Sequence, residues 1–219
     1  MSPRRVDRAA RREHILAVAV RLFAERGFSA TRIEDVAAAA GIAKGSVYLY
    51  FESRDALLVG AFDRLGERSA RVLRLARDPG RTAAERLEEL VRGALTMLAD
   101  EPDLTRVMVD LWAAGRHGGG TAPPTLDMAK VYGEYRRVIA DLLRQAAAEG
   151  DARPGAGEAE AAVVVGAVEG CLVQWLMDPE VDLVALADTV VGVCLRGVLR
   201  HASPSGAQGT GDGRGSGTA

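Results

Sequence analysis

Residues 31–58, TRIEDVAAAAGIAKGSVYLYFESRDALL, hold two short helical patterns joined by a very tight turn. Thr31 stands before RIEDVAAAA with Glu34 three residues on, the spacing of a capping box, and this predicts a helix running from Thr31 to Gly41. Only AGIAK separates it from the next pattern, so the chain has three or four residues in which to turn. Gly41 can take the left-handed conformation such a turn needs. Small Ala37, four residues before that glycine, and branched Val47, six after it, let the two helices cross steeply and closely, as in a helix-turn-helix. Ser53 is placed to cap a further helix that opens with Arg54.

The second of these helices contains KGSVYLY, residues 44–50. Val47 turns inward, with Leu49 and Phe51 as apolar support. Lys44, Gly45, Ser46, Tyr48 and Tyr50 then lie on or near the outer face, which suits a polyanion. Lys44 can meet a phosphate or a guanine edge, Ser46 can bond a base, and the tyrosine hydroxyls can donate to phosphates from rigid side chains. Gly45 permits close approach. For Tyr48 and Tyr50 the alternative is a core ring with its hydroxyl at the surface.

Upstream, RAARREHILAVAVRLFAERGFSA repeats Ile15, Leu16, Ala19, Leu22 and Phe23 at helical spacing, and Gly27 follows the last turn. Charge is divided unevenly along the chain. Residues 1–54 carry ten Lys or Arg against six Asp or Glu, net +4, and the rest carries 18 against 24, net −6. A basic N-terminal segment, with residues 1–9 as an arm, on a mildly acidic body suits a polyanion held at one end.

With the fourth helix in place, residues 10–58 resemble the N-terminal DNA-binding domain of the tetracycline-repressor (TetR) family of bacterial transcriptional regulators. The resemblance rests on ILAVAVRLFAERGFSATRIEDVAAAAGIAKGSVYLYFESRDALL. It covers the Phe and Gly that end helix 1, the threonine before helix 2, the Ala-Gly turn and the Tyr-x-Tyr-Phe exit into a capped fourth helix. It implies an all-helical homodimer whose third helix enters the major groove, with Thr31, Lys44, Tyr48 and Arg54 at positions that contact the DNA backbone. With Arg32, Gly45, Ser46 and Tyr50, these complete the candidate DNA-contact set. Ala43 stands where the family often has a capping Ser or Thr, and Arg54 where it often has lysine.

Residues 59–202 resemble the family's regulatory domain in architecture only. AAERLEELVRGALTMLAD places Leu87, Leu90, Val91, Leu95 and Leu98 on one face, and Pro102 starts another helix. Glycines 118–120 with Pro123 and Pro124 predict a flexible loop, and Gly150 ends a long helix through LDMAKVYGEYRRVIADLLRQAAAEG. EAEAAVVVGAVEGCLVQWLMD is strongly apolar, but Glu169 and Gln174 interrupt it, so no membrane span is expected. With VDLVALADTVVGVCLRGVLR it forms a terminal pair of helices that the resemblance assigns to a homodimer seam, where Gly166, Gly170, Gly192 and Gly197 allow close approach; the alternative is intramolecular core alone. Residues 203–219 are Gly- and Ser-rich, the composition of a disordered tail.

Met97, Met108, Trp112, Met128, Tyr132, Tyr135 and Trp175 fall in helices able to surround a common interior. Trp112, Tyr135, Glu169 and Trp175 are the candidate effector contacts, with Glu169 able to meet a cationic ligand or an arginine. The alternative for each is plain core, and for Glu169 also a position facing solvent beside the dimer seam. The partners expected are double-stranded operator DNA, palindromic to match the dimer that the resemblance implies, and an unidentified small-molecule effector. No metal or cofactor is expected, because His14, His117 and His201 stand apart and Cys171 and Cys194 sit in apolar helical patterns. No catalytic set supports an enzyme with a helical active site, and an architectural DNA binder without effector sensing is the other alternative. No apolar signal core follows the basic N-terminus, so the cytoplasm is the expected compartment.

Overall fold

The computed structural model describes residues 3–115, 127–178 and 180–195. The glycine and proline loop at 118–124, Gly197 and the segment 203–219 lie outside the described residues. Every regular element among the described residues is helical, as the composition and periodicity predict. The order is α1 (Pro3–Arg26), α2 (Ile33–Ala39), α3 (Lys44–Tyr48), α4 (Arg54–Leu75), α5 (Ala83–Ala99), α6 (Pro102–Gly115), α7 (Met128–Glu149), α8 (Glu158–Met177) and α9 (Leu186–Val190). A π-helical turn, Val191–Leu195, continues α9.

In the N-terminal head, α1 packs against α2 and α4, and α2 against α3. Ile15, Leu16, Ala19, Leu22 and Phe23 are buried on one face of α1, meeting Val36, Ala37, Val47 and Phe51 in one core. The segment 3–9, expected as an arm, instead continues α1: proline is at home in a first helical turn, and the Ala- and Arg-rich residues that follow favour helix. Gly41 has φ +67°. Around it the Gly41 N–H donates to the Ala38 carbonyl and the Ile42 N–H to the Ala37 carbonyl, a Schellman end that stops α2 and aims the chain into α3.

Gly60 sits where α4 crosses α1. A Cβ there would lie 3.1 Å from an Arg12 guanidinium nitrogen and 3.2 Å from the Phe51 ring, so the glycine sets the closeness of that crossing.

α4, 22 residues long, runs from the head into the body, where α5 packs on it. Leu87, Leu90, Val91, Leu95 and Leu98 of α5 are all buried. Thr82 and Glu85 form the capping box that starts α5: the Thr82 hydroxyl accepts from the Glu85 N–H at 3.2 Å, and the Glu85 carboxylate accepts from the Thr82 N–H at 2.9 Å. Pro102 opens α6, and Gly150, with φ +89°, ends α7. α7 packs on both α5 and α8.

Head and body are also joined by charge. Arg64 on α4 donates to Glu13 of α1 at 2.9 Å and to Glu101, just before α6, at 2.7 Å. Arg68, one turn on, reaches the same Glu101 at 2.8 Å and Asp100 at 2.9 Å. Because these groups are only partly buried and share partners, they act as a network rather than as isolated surface pairs.

α8 is unlike the other long helices. Ala161, Val164 and Leu172 are buried, but Ala162, Val163, Gly166, Gly170, Gln174 and Met177 recur at three- and four-residue spacing along an exposed stripe. Val163 is 64% and Met177 81% exposed. Val184 and Val193 are exposed nearby in sequence, whereas Leu195 is completely buried in the chain's own core.

Candidate nucleic-acid interface and effector cavity

The head presents a compact polar face built on α2 and α3. Lys44 and Gly45 are exposed, Ser46 is half-buried, and Tyr48 is 47% exposed. An added Cβ at Gly45 would touch nothing, so the α3 backbone is open to close approach. Lys44 pairs with Glu34 across the α2–α3 turn and lies 5.9 Å from the Tyr48 ring centre. This hydrogen bond holds Glu34 below the usual carboxylate range and raises Lys44 in return. Arg32 is exposed at the start of α2.

Several placements differ from the sequence reading. Thr31 does not begin α2: the helix starts at Ile33 with Arg32 as its cap residue, and the Asp35 carboxylate, not Glu34, accepts from the Arg32 N–H at 2.8 Å. Thr31 is fully buried, and its hydroxyl donates to the Gly27 carbonyl at 2.9 Å and faces the Leu22 carbonyl at 3.3 Å. It satisfies the end of α1, and its side chain is closed off from solvent. Arg54 is likewise engaged within the fold, stacked 4.2 Å over the Phe28 ring and donating to the carbonyls of Ser29 at 3.0 Å and Thr31 at 3.3 Å. One guanidinium nitrogen makes both hydrogen bonds while the guanidinium carbon lies over the ring, a stacking that lysine would make less well.

Tyr50 is half-buried against the core with Arg8 over its ring, the alternative considered for it. Leu49, expected as inward support, is 72% exposed beside Tyr48. α3 is only five residues long and the chain leaves it at Tyr48, so helical spacing no longer sets where Leu49 faces. The Ser53 hydroxyl caps α4 as expected, accepting from the Ala56 N–H at 3.0 Å, while Ala43 begins α3 without a side-chain cap.

The body contains a partly open cavity of about 400 Å³ between α4, α5, α7 and α8. Phe62, Leu65 and Leu73 of α4, Leu90, Ala94 and Met97 of α5, Met128, Tyr132, Tyr135 and Ile139 of α7, and Val164, Val168 and Leu172 of α8 supply most of its wall, with Met108 from α6. Such a volume with an apolar wall and a few polar groups is that of a small-molecule site. Two of its hydrogen bonds cross between helices: Ser69 and Tyr135 are 3.0 Å apart, joining α4 to α7, and the Tyr132 hydroxyl donates to Glu169 at 2.9 Å, joining α7 to α8. Burial first, and then the Glu169 carboxylate, pushes the Tyr132 phenol far up, so it remains a protonated donor.

Of the four candidate effector contacts, Tyr135 and Glu169 line this cavity; Trp112 and Trp175 are not among its lining residues. Met97, Met108, Met128 and Tyr132 do line it. Ser69 was not singled out from the sequence. Its spacing from Phe62 and Leu73 on one face of α4 is the signal that could have found it.

Residues 15–61 match the family of bacterial regulatory proteins called tetR, and residues 83–204 match the C-terminal part of BetI-type transcriptional repressors. The chain is 24% identical over 192 residues to the fatty acid metabolism regulator protein of Bacillus subtilis, covering 84% of this chain and 93% of that one. Over 51 residues it is 47% identical to the HTH-type transcriptional regulator YerO of the same organism, a match spanning 23% of this chain and 18% of YerO. The fold is shared with the transcriptional regulator FadR of B. subtilis solved in complex with stearoyl-CoA: TM-score 0.67, 23% identity, covering 85% of this chain and 98% of that one. The second family match alone spans more than half of the chain and the first covers its helix-turn-helix, so the protein belongs to the TetR family and is a DNA-binding transcriptional regulator.

Proposed function

We propose that the protein is a homodimeric repressor that holds a palindromic operator through the α2–α3 face of each protomer and leaves it when a small molecule occupies the body cavity. The observation that carries this reading is the course of α4. Its capped N-terminus, Ser53 and Arg54, lies beside the DNA face, and its later turns, from Phe62 to Leu73, form one wall of the cavity. A ligand that favours one position of α4 in the body therefore changes the placement of the head, helped by Arg64 and Arg68, which tie α4 to α1 and to the start of α6. Ligand and operator are then coupled through two conformations of one element.

The exposed stripe of α8 supports the dimer. Glu158–Met177 is long and apolar enough to cross a membrane, but one of its faces packs inside its own protomer and the other contains small residues open to solvent. A second copy of the same face, with the α9 segment beside it, covers Val163, Gly166, Gly170 and Met177 in a helical seam. Lys44, Gly45, Ser46, Tyr48 and Arg32 are the DNA contacts in this reading, and Leu49 joins them as an apolar partner for a thymine methyl group. The compartment is the cytoplasm, where the operator is.

Selection of double-stranded DNA by the purified protein tests this. An inverted repeat is expected, with half-site centres about 34–36 Å or a multiple of the helical turn apart. Enrichment of no sequence would support an architectural binder instead.

A further inference from the structure

We propose that the effector is a lipophilic cation whose positive group lies beside Glu169, flanked by the rings of Tyr132 and Tyr135. This rests on reading the body cavity as the effector site. Among the described residues, those lining the cavity include no Lys, Arg or His, and three carry carboxylates. Asp63 and Glu134 are exposed, whereas Glu169 is half-buried on the wall that α8 supplies.

Elsewhere in the body, the partly buried glutamates Glu88, Glu89, Glu101 and Glu160 are answered by arginine. Glu101 meets Arg64 and Arg68, and Glu160 meets Arg153. The described partner of Glu169 is the Tyr132 hydroxyl, which donates a neutral hydrogen bond and no charge. A carboxylate facing an apolar cavity without a cation is costly, and a positive group brought by the ligand offsets that cost.

The rest of the wall fits the same class of molecule. Tyr132 and Tyr135 stand three residues apart on α7 and both reach the cavity, so aromatic rings accompany the carboxylate, as in sites for quaternary ammonium groups. About 400 Å³ is far more than a bare ammonium fills, and the remaining wall is aliphatic and Met-rich, suited to an adaptable apolar body. A carboxylate or phosphate ligand would meet three like charges and no described cation in the wall.

Calorimetric titration of the full chain with three ligands of one tail length, decyltrimethylammonium, decanol and decanoate, each below its micelle concentration, tests the class. The cation should bind ~10-fold or more tighter than the alcohol, as expected for one charged contact, with decanoate weakest. Glu169→Gln should remove that preference while leaving decanol unchanged, and Glu169→Lys should turn it toward decanoate. Decanoate binding as tightly as the cation, or an unchanged order in both folded variants, would overturn the cationic class and leave the cavity reading standing. Failure of all three to bind would overturn both.

Discussion

The helix-turn-helix and α8 treat their apolar residues in opposite ways. In α2 and α3, Ile33, Val36, Ala37 and Val47 are buried inside the head, and what remains outside is largely polar. In α8, an apolar helix is only half covered, and a stripe of alanine, valine, glycine and methionine is left outside. The head closes its own core and offers a polar face to a polyanion. The body leaves an apolar face that is costly in water, which supports the proposed dimer seam. The partners proposed for the two surfaces differ because the surfaces differ in what the chain could bury alone.

The strongest way to break this comparison is to charge the exposed stripe. Val163→Arg with Met177→Arg should give folded monomers by sedimentation, because both side chains are outside the protomer core. Operator affinity should fall about 100-fold or more as two linked half-site contacts become one. A folded monomer that keeps full affinity would separate dimerisation from DNA binding. Leu195 is no substitute, because it is fully buried and arginine there would attack the core.

A smaller effect is expected on the head's face. Tyr48→Ala should cost about 1–3 kcal/mol of operator binding and leave the melting temperature unchanged, since the ring is exposed. Equal affinity by fluorescence anisotropy would remove Tyr48 from the interface.

Thr31→Val should do the reverse. Loss of the buried hydroxyl that serves the end of α1 should destabilise the head by about 1–2 kcal/mol in denaturant titration, with little change in the affinity of the folded protein. A large loss of affinity without loss of stability would restore Thr31 as a contact.

The smallest effect expected is at Glu34. In the proposed complex its carboxylate competes with phosphate for Lys44, so Glu34→Gln should tighten operator binding by a few-fold at low salt, with the gain fading as salt screens it. A weaker complex would mean instead that Glu34 holds Lys44 in the right place.

Much of this was legible in the sequence where short-range rules decide. Gly41, Ser53, Pro102 and Gly150 mark ends and starts because backbone geometry and capping act over a few residues. The buried faces of α1 and α5 follow from helical periodicity. The errors came where a residue had two local options. Thr31 and Asp35 show this: a threonine before a helix can cap it or serve the helix before, and distance to the Gly27 carbonyl settled the choice. Leu49 escaped because helical spacing was extended past the end of a five-residue helix.

By itself, then, the order of residues determined the helical class, the helix-turn-helix and the long connecting helix, since these depend on propensity, caps and the spacing of apolar side chains. Only the tertiary structure decided which side chains meet across helices. Tyr132 with Glu169, Ser69 with Tyr135 and Arg64 with both Glu13 and Glu101 are separated by tens of residues, and no local pattern carries their pairing. The same holds for the cavity, which passes over Trp112 and Trp175 in favour of Tyr135 and Glu169. Periodicity says that a side chain faces inward, but the packing angles of four helices decide whether it meets another side chain or open space.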